Sequence, residues 1–192
     1  MKEYHIWDQT LPEEVLGHDF TEPVSRKEAA RVTLRRMMLA DERHYFGFFQ
    51  QLISPSLRIT GDFTPSYSLL PEEELRTLTR KLVHAGFDVV VVYLMRYPVA
   101  RCWSSFRSYH RDREEALPTT GLTEIFRNFY QAPPARERTR YEQIIPKLLR
   151  LASQPGSESL EGSVSVVIEG YERLMQGQTK ELAAALRLNP KS

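Results

Sequence analysis

An arginine and a serine stand where a strand should give way to a helix, a place where proteins commonly bind anions. The apolar run 89–95 ends at Arg96, and Pro98 can open a helix with its preset φ. Ligands of open parallel sheets bind beyond the carboxyl ends of the strands, which is where Arg96 would lie. Ser104 follows two turns into the helix. A fixed guanidinium together with a hydroxyl group suits the binding of an oxyanion.

An ordinary structural role would also account for both residues. Arg96 could pair with a carboxylate at the end of its strand, and Ser104 could be a solvated helix position. Helical spacing gives the segment from Pro98 one apolar face, and Ser104 shares the opposite face with Arg101 and other polar residues.

A second polar group follows the short apolar run 57–60, which we interpret as a strand. Thr64 and Tyr67 come shortly after it and would lie at the same ligand-binding edge of the sheet. In the alternative interpretation, this segment is a turn and Tyr67 fills the core. Asp62 could pair with Arg96 or with another arginine, Arg101.

The elements that must position these residues alternate along the chain. The pattern predicts strands over 57–60, 88–96 and 164–170, and helices over 24–53 with a break near Asp41, 70–86, from Pro98, 121–131, 141–153 and 179–188. Residues 1–23 and 132–140 are predicted to be loops. Strands that are apolar throughout and alternate with helices indicate an α/β domain with a parallel sheet. A chain of 192 residues is long enough for one such domain.

The composition argues against several classes of protein. The formal net charge of +1 gives no overall field to attract nucleic acid or acidic membranes. A single cysteine excludes an internal disulfide framework and a cysteine-based metal site. No apolar run reaches the roughly 18–20 residues that span a bilayer. We therefore expect a reduced, cytoplasmic protein without a metal, a nucleic-acid partner or a membrane segment.

The segment "RYPVARCWS", residues 96–104, resembles a motif of sulfotransferases that use 3′-phosphoadenosine 5′-phosphosulfate, or PAPS. Their pattern is Arg-x-Pro-x-x-Arg-x-x-Ser, at the end of a strand and into a helix. In that family the first arginine and the final serine hold the 3′-phosphate of the nucleotide. The resemblance assigns those roles to Arg96 and Ser104. The family often has aspartate after the first arginine, where this chain has Tyr97.

Three further segments resemble the family in the same order along the chain. "KEYHIWD" (2–8) is similar to a Glu-x-His segment of heparan-type and related bacterial sulfotransferases. "ITGDFTPSY" (59–67) is similar to the Thr-Pro-Ser/Ala-Tyr segment that follows a strand. "VVIEGYERL" (166–174) is similar to a late strand followed by Tyr-Glu-Asp-Leu. The resemblance therefore extends over almost the whole chain.

These segments imply roles for further residues. By resemblance, Glu3 is the base that deprotonates the acceptor hydroxyl, and His5 orients the acceptor or the sulfate. Thr64 and Tyr67 would line the acceptor site. Many members have a lysine immediately before that threonine, but this chain has Phe63 there. Any role of that lysine is therefore absent.

One family feature does not occur in the sequence. Members carry a first strand and then a glycine-containing loop, Lys-x-Gly-Thr-Thr/Ser, that holds the 5′-phosphosulfate, and no such pattern is found in the 192 residues. The resemblance implies a P-loop NTPase-like three-layer sandwich around a central parallel sheet, with its first strand and phosphate loop missing. We therefore expect one sulfotransferase domain over 1–192, incomplete at its N-terminus, with weak nucleotide binding.

Two functions follow from these expectations. The first is transfer of a sulfuryl group from PAPS to a hydroxyl or amine of a carbohydrate or small-molecule acceptor. The alternative is a non-catalytic module of the same fold, which binds a nucleotide weakly or only pairs with other chains.

Overall fold

A computed structural model describes residues 4–16, 26–112, 115–152 and 163–188. The first half of the chain is mostly helical. Its elements are a 3₁₀ helix (Asp8–Thr10), α1 (Glu13–Leu16), α2 (Arg26–Ala40), α3 (Glu42–Leu52), a second 3₁₀ helix (Pro65–Leu69) and α4 (Glu72–His84). The second half contains β1 (Val89–Met95), α5 (Pro98–Asp112), α6 (Leu122–Gln131), α7 (Pro133–Glu137), α8 (Tyr141–Ala152), β2 (Val164–Gly170), α9 (Tyr171–Met175) and α10 (Lys180–Ala185).

Two helix boundaries lie where the sequence predicts them, at Asp41 and at Gly86. Asp41 has an extended backbone, with φ of −152°, and its side chain accepts a hydrogen bond from the backbone N–H of Arg43. This N-cap separates α2 from α3 at the predicted break. Gly86 has a φ of +88°, a left-handed conformation that favours glycine, and it follows the end of α4.

The sheet of the described residues consists of β1 and β2, which pair in parallel from Val89↔Val164 to Met95↔Gly170. The prediction of an α/β fold with parallel strands is thereby confirmed. The predicted strand over 57–60 is wrong. Ser54 and Leu57 instead close a turn through two mutual backbone hydrogen bonds of 3.0 and 3.1 Å, and the structure shows no partner strand for residues 58–60 in the parts it describes.

Two clusters of buried apolar residues can be distinguished, and the buried Cys102 and Phe106 of α5 belong to neither. The sheet core consists of Leu70, Leu75, Ile144, Leu148 and Leu151, and one face of the strand pair packs against it. The N-terminal core consists of Ile6, Met38, Tyr45 and Phe49. Trp7 packs against both clusters, so the N-terminal segment, residues 4–8, lies between them.

Two segments predicted to be loops contain short helices. Residues 8–16 form the first 3₁₀ helix and α1, and residues 133–137 form α7. Arg138 joins the two segments, because its guanidinium donates hydrogen bonds to the carbonyls of Val15 (2.9 Å) and Leu16 (2.8 Å). None of the helices in the described residues is long and apolar enough to cross a membrane.

We expect Leu148→Ala to lower the free energy of unfolding by about 2–5 kcal/mol, because Leu148 is only 2% exposed in the sheet core and its loss leaves a cavity. The matched control is Leu39→Ala on α2, where the side chain is 39% exposed and the loss should stay below about 1 kcal/mol. Urea unfolding followed by circular dichroism measures both. Equal losses would contradict the placement of the sheet core.

Candidate functional site

The N-terminal segment is hydrogen-bonded to the segment that carries Thr64 and Tyr67. The backbone N–H of Tyr4 donates to Thr64 Oγ1 at 3.1 Å, and that of Ile6 donates to the Tyr67 hydroxyl at 3.1 Å. His5 lies between these two anchor points. The fold therefore brings His5 close to Thr64 and Tyr67, which come about sixty positions later, and the family resemblance assigns all three to the acceptor side. Glu3, the predicted base, lies outside the described residues.

Asp62 is the centre of this contact. Its carboxylate accepts hydrogen bonds from the hydroxyls of Thr64 (2.6 Å), Tyr67 (3.0 Å) and Tyr45 (3.1 Å). The expectation that Asp62 pairs with Arg96 or another arginine of α5 is wrong. Burial raises the pKa of Asp62, and the three hydroxyl donors offset only part of that rise. Burial and the nearby Asp62 charge also raise the pKa of Tyr67, which keeps its hydroxyl protonated.

His5 is held by a second carboxylate, Asp8. Its Nδ1 lies 2.6 Å from Asp8 Oδ2, and the Ser66 hydroxyl donates to the same oxygen. Asp8 is completely buried and belongs to the first 3₁₀ helix, which turns it back toward His5. Burial alone would raise the pKa of Asp8, but the hydrogen bonds from His5 and Ser66 outweigh it and hold that pKa below its usual value.

His5, Asp8 and Ser66 form a hydrogen-bonded group, the His5 cluster, whose geometry limits the chemistry open to it. Since a carboxylate only accepts hydrogen bonds, Nδ1 of His5 carries a proton and a neutral ring has its lone pair on Nε2. Ser66 approaches the same nitrogen, at 3.4 Å, and its proton goes to Asp8. Ser66 is therefore not arranged as a nucleophile activated by His5. The cluster is suited to fixing the imidazole ring. The backbone of His5 is left-handed, with φ of +52°, which also constrains its direction.

Arg96 lies at the carboxyl end of β1, as predicted. The hydroxyl of Tyr141, at the start of α8, donates to the carbonyl of Arg96 at 2.6 Å and so fixes the end of the strand. The guanidinium lies over the ring of Tyr171, 4.8 Å from its centroid, and Nε is 3.9 Å from Glu172 Oε1. Glu172 is therefore a carboxylate partner at the end of the strand, which agrees with an ordinary structural role for Arg96. Even so, Nε is buried and has no hydrogen-bond partner among the described residues.

Ser104 is exposed on α5, on the side opposite the buried Cys102 and Phe106. Among the described residues, no side-chain hydrogen bond or ion pair connects Arg96 or Ser104 to the His5 cluster. Cavities of about 410 and 440 Å³ lie elsewhere, between α3 and α4 and beside the end of α6, and neither Arg96 nor Ser104 lines them.

Sequence reasoning missed several residues that hold the site. Asp8 ends the "KEYHIWD" segment, so its spacing from His5 was an available signal. Tyr141 carries no such signal. Neither does Lys147, whose ammonium donates to the carbonyls of Ser68 (2.8 Å) and Leu70 (2.7 Å) and fixes the end of the second 3₁₀ helix.

Comparison of the chain with protein-family models, with curated proteins and with solved structures gave no match. In the parts of the chain that the structure describes, no group of three or more histidine, cysteine, aspartate or glutamate side chains is placed to hold a metal ion.

We expect Asp8→Asn to lower the free energy of unfolding at pH 7 by about 1–3 kcal/mol, since the buried hydrogen bonds from His5 and Ser66 lose their charged acceptor. The folded-state pKa of Asp8 is below its unfolded value, so its contribution is present above about pH 4 and is lost as the pH falls through the folded pKa. The deficit of the variant should therefore shrink as the pH is lowered from 5 toward 2.

Urea unfolding at a series of pH values measures this difference. Asp88→Asn is the control, because Asp88 is an exposed carboxylate paired with Arg187 at 3.2 Å, and its loss should cost below about 1 kcal/mol. A deficit for Asp8→Asn that is the same at every pH would contradict the ionised, hydrogen-bonded state of Asp8.

Proposed function

We propose that this chain is a sulfotransferase domain with a P-loop NTPase-like fold. It transfers a sulfuryl group from PAPS to a hydroxyl or amine of a carbohydrate or small-molecule acceptor. The observation that carries the proposal is the pair of hydrogen bonds that join Tyr4 to Thr64 and Ile6 to Tyr67. Two segments that resemble separate family motifs meet in space, and they enclose His5.

The end of β1 supports binding of the 3′-phosphate. Arg96 has a buried Nε that lacks a hydrogen-bond partner among the described residues, and the N–H of Tyr97 precedes α5, where backbone donors favour an anion. Both groups fit a phosphate oxygen at the carboxyl end of the strand. Ser104, exposed two turns along α5, would add its hydroxyl.

The His5 segment supports the acceptor side. Sulfuryl transfer resembles phosphoryl transfer, in which positioning and electrostatic stabilisation dominate over covalent chemistry. The nucleotide supplies an activated sulfuryl group. Glu3 would accept the acceptor proton, and His5, fixed by Asp8, would orient the acceptor or the sulfate. Thr64 and Tyr67 anchor the segment through their hydroxyls and would line the acceptor site.

A second candidate is a non-catalytic module of the same fold that binds the nucleotide weakly or pairs with other chains. Two observations favour it. Phe63, which is 68% exposed, stands where many sulfotransferases have a lysine. The carboxylate of Glu172 lies beside Arg96, which opposes the approach of a phosphate.

Arg96→Ala should weaken the binding of adenosine 3′,5′-bisphosphate by at least about tenfold, because a charge-assisted contact is lost. Ser104→Ala should weaken it by a smaller factor, about threefold, since a neutral hydrogen bond is removed. Arg107→Ala, which removes another arginine of α5 at an exposed position, is the matched control and should bind as the wild type does. NMR titration of the 192-residue chain is suited to weak binding, and unchanged affinity in Arg96→Ala would contradict the proposed site.

Turnover separates the two candidate functions. Sulfotransferase activity predicts transfer of radiolabelled sulfate from PAPS to at least one member of a panel of sugars, phenols and amines, with a large loss in His5→Ala. Nucleotide binding that depends on Arg96, with no transfer to any acceptor, would favour the non-catalytic module.

A further inference from the structure

A carboxylate of the chain lies beside the two donors that the proposed phosphate site requires. Glu172 Oε1 accepts a hydrogen bond from the backbone N–H of Tyr97 at 3.4 Å, and it lies 3.9 Å from Arg96 Nε. A carboxylate and a phosphate both bind to such donors through anionic oxygens. Glu172 therefore stands in the place of an external anion.

The sheet register keeps Glu172 near Arg96. Met95 pairs with Gly170 at the end of the strand pair, so the residues that follow the two strands are neighbours. Tyr171 and Glu172 open α9 directly after β2, and the Tyr171 ring packs under the Arg96 guanidinium. With the backbone in this position, a rotation of the side chain is enough to move the Glu172 carboxylate away.

The contact is loose enough for such a rotation. The distance of 3.4 Å is at the long limit of a hydrogen bond, and 3.9 Å is an ion pair without a hydrogen bond. The Glu172 side chain is 53% exposed, so water can solvate the carboxylate when it leaves. An exposed ion pair of this kind contributes little to stability, so breaking it costs little free energy.

We propose that Glu172 competes with the 3′-phosphate for Arg96 and for the Tyr97 N–H, and that it lowers the affinity of the chain for the nucleotide. This inference rests on the proposed function, because it takes the anion at Arg96 to be the ribose phosphate. Binding displaces the carboxylate into solvent, and release lets it return.

The test compares Glu172→Gln with the wild type in the full chain. The glutamine keeps the shape of the side chain and removes its charge, so adenosine 3′,5′-bisphosphate should bind about fivefold more tightly. Glu124→Gln is the control. It removes one negative charge at an exposed position of α6, a different helix from the one that carries Glu172, and should leave the affinity unchanged. In an Arg96→Ala background, Glu172→Gln should have little effect. Inorganic sulfate, titrated by NMR with the same variants, is a second probe that needs no nucleotide.

Each outcome decides a different point. Tighter binding of both probes by Glu172→Gln, dependent on Arg96, supports the competition. Equal nucleotide affinity in the wild type and in Glu172→Gln overturns it and leaves the proposed function standing. Tighter sulfate binding without nucleotide binding by any variant shows that Glu172 competes with an anion at Arg96, but it overturns both the ribose phosphate as that anion and the proposed function. Failure of every variant to bind either probe overturns both.

Discussion

The position of residues 4–8 between the two hydrophobic cores is the constraint on which the candidate acceptor site depends. Trp7 packs against both cores, and Ile6 is buried in the N-terminal core. A segment buried without a partner strand must pair its backbone groups with side chains, because unpaired buried amides are costly. The hydroxyls of Thr64 and Tyr67 accept hydrogen bonds from two of its N–H groups. The guanidinium of Arg35 donates to the carbonyls of residues 4 and 5, both at 3.0 Å. The direction of His5 is thus a product of core packing.

The two carboxylates in this region, the buried Asp8 and the partly buried Asp62, respond to pH in opposite directions. The partners of Asp8 include an imidazole, and its pKa is lowered, so it stabilises the fold above its unfolded pKa. Asp62 has three neutral hydroxyl donors, and burial leaves its pKa raised. It therefore binds a proton more tightly in the folded chain, and its contribution to stability falls as the pH rises from its unfolded pKa through the higher folded value. The difference comes from the partner that each carboxylate has.

Features that depend on neighbouring residues could be predicted from the sequence, whereas features that depend on a partner distant in the sequence could not. Asp41 begins a helix through its side chain and Gly86 ends one through its backbone conformation, and the end of an apolar run is enough to place Arg96. The run 57–60 has strand composition, but a strand forms only beside another, and the structure describes none there. Asp62 was assigned a charged partner because nothing near it in the sequence indicated that Tyr45, on α3, would reach it.

The parallel pairing of β1 with β2 has a consequence for biosynthesis. Val89 pairs with Val164, so the whole segment that contains α5 to α8 is made between the two strands. At ribosomal speeds of about 5–20 residues per second, β1 emerges roughly 4–15 s before β2. In that interval the N–H and C=O groups on the edge of β1 that later pairs with β2 lack that partner, and such an edge can pair with a wrong strand. Pairing with β2 therefore removes one unpaired edge of β1, and this can happen only after β2 leaves the ribosome.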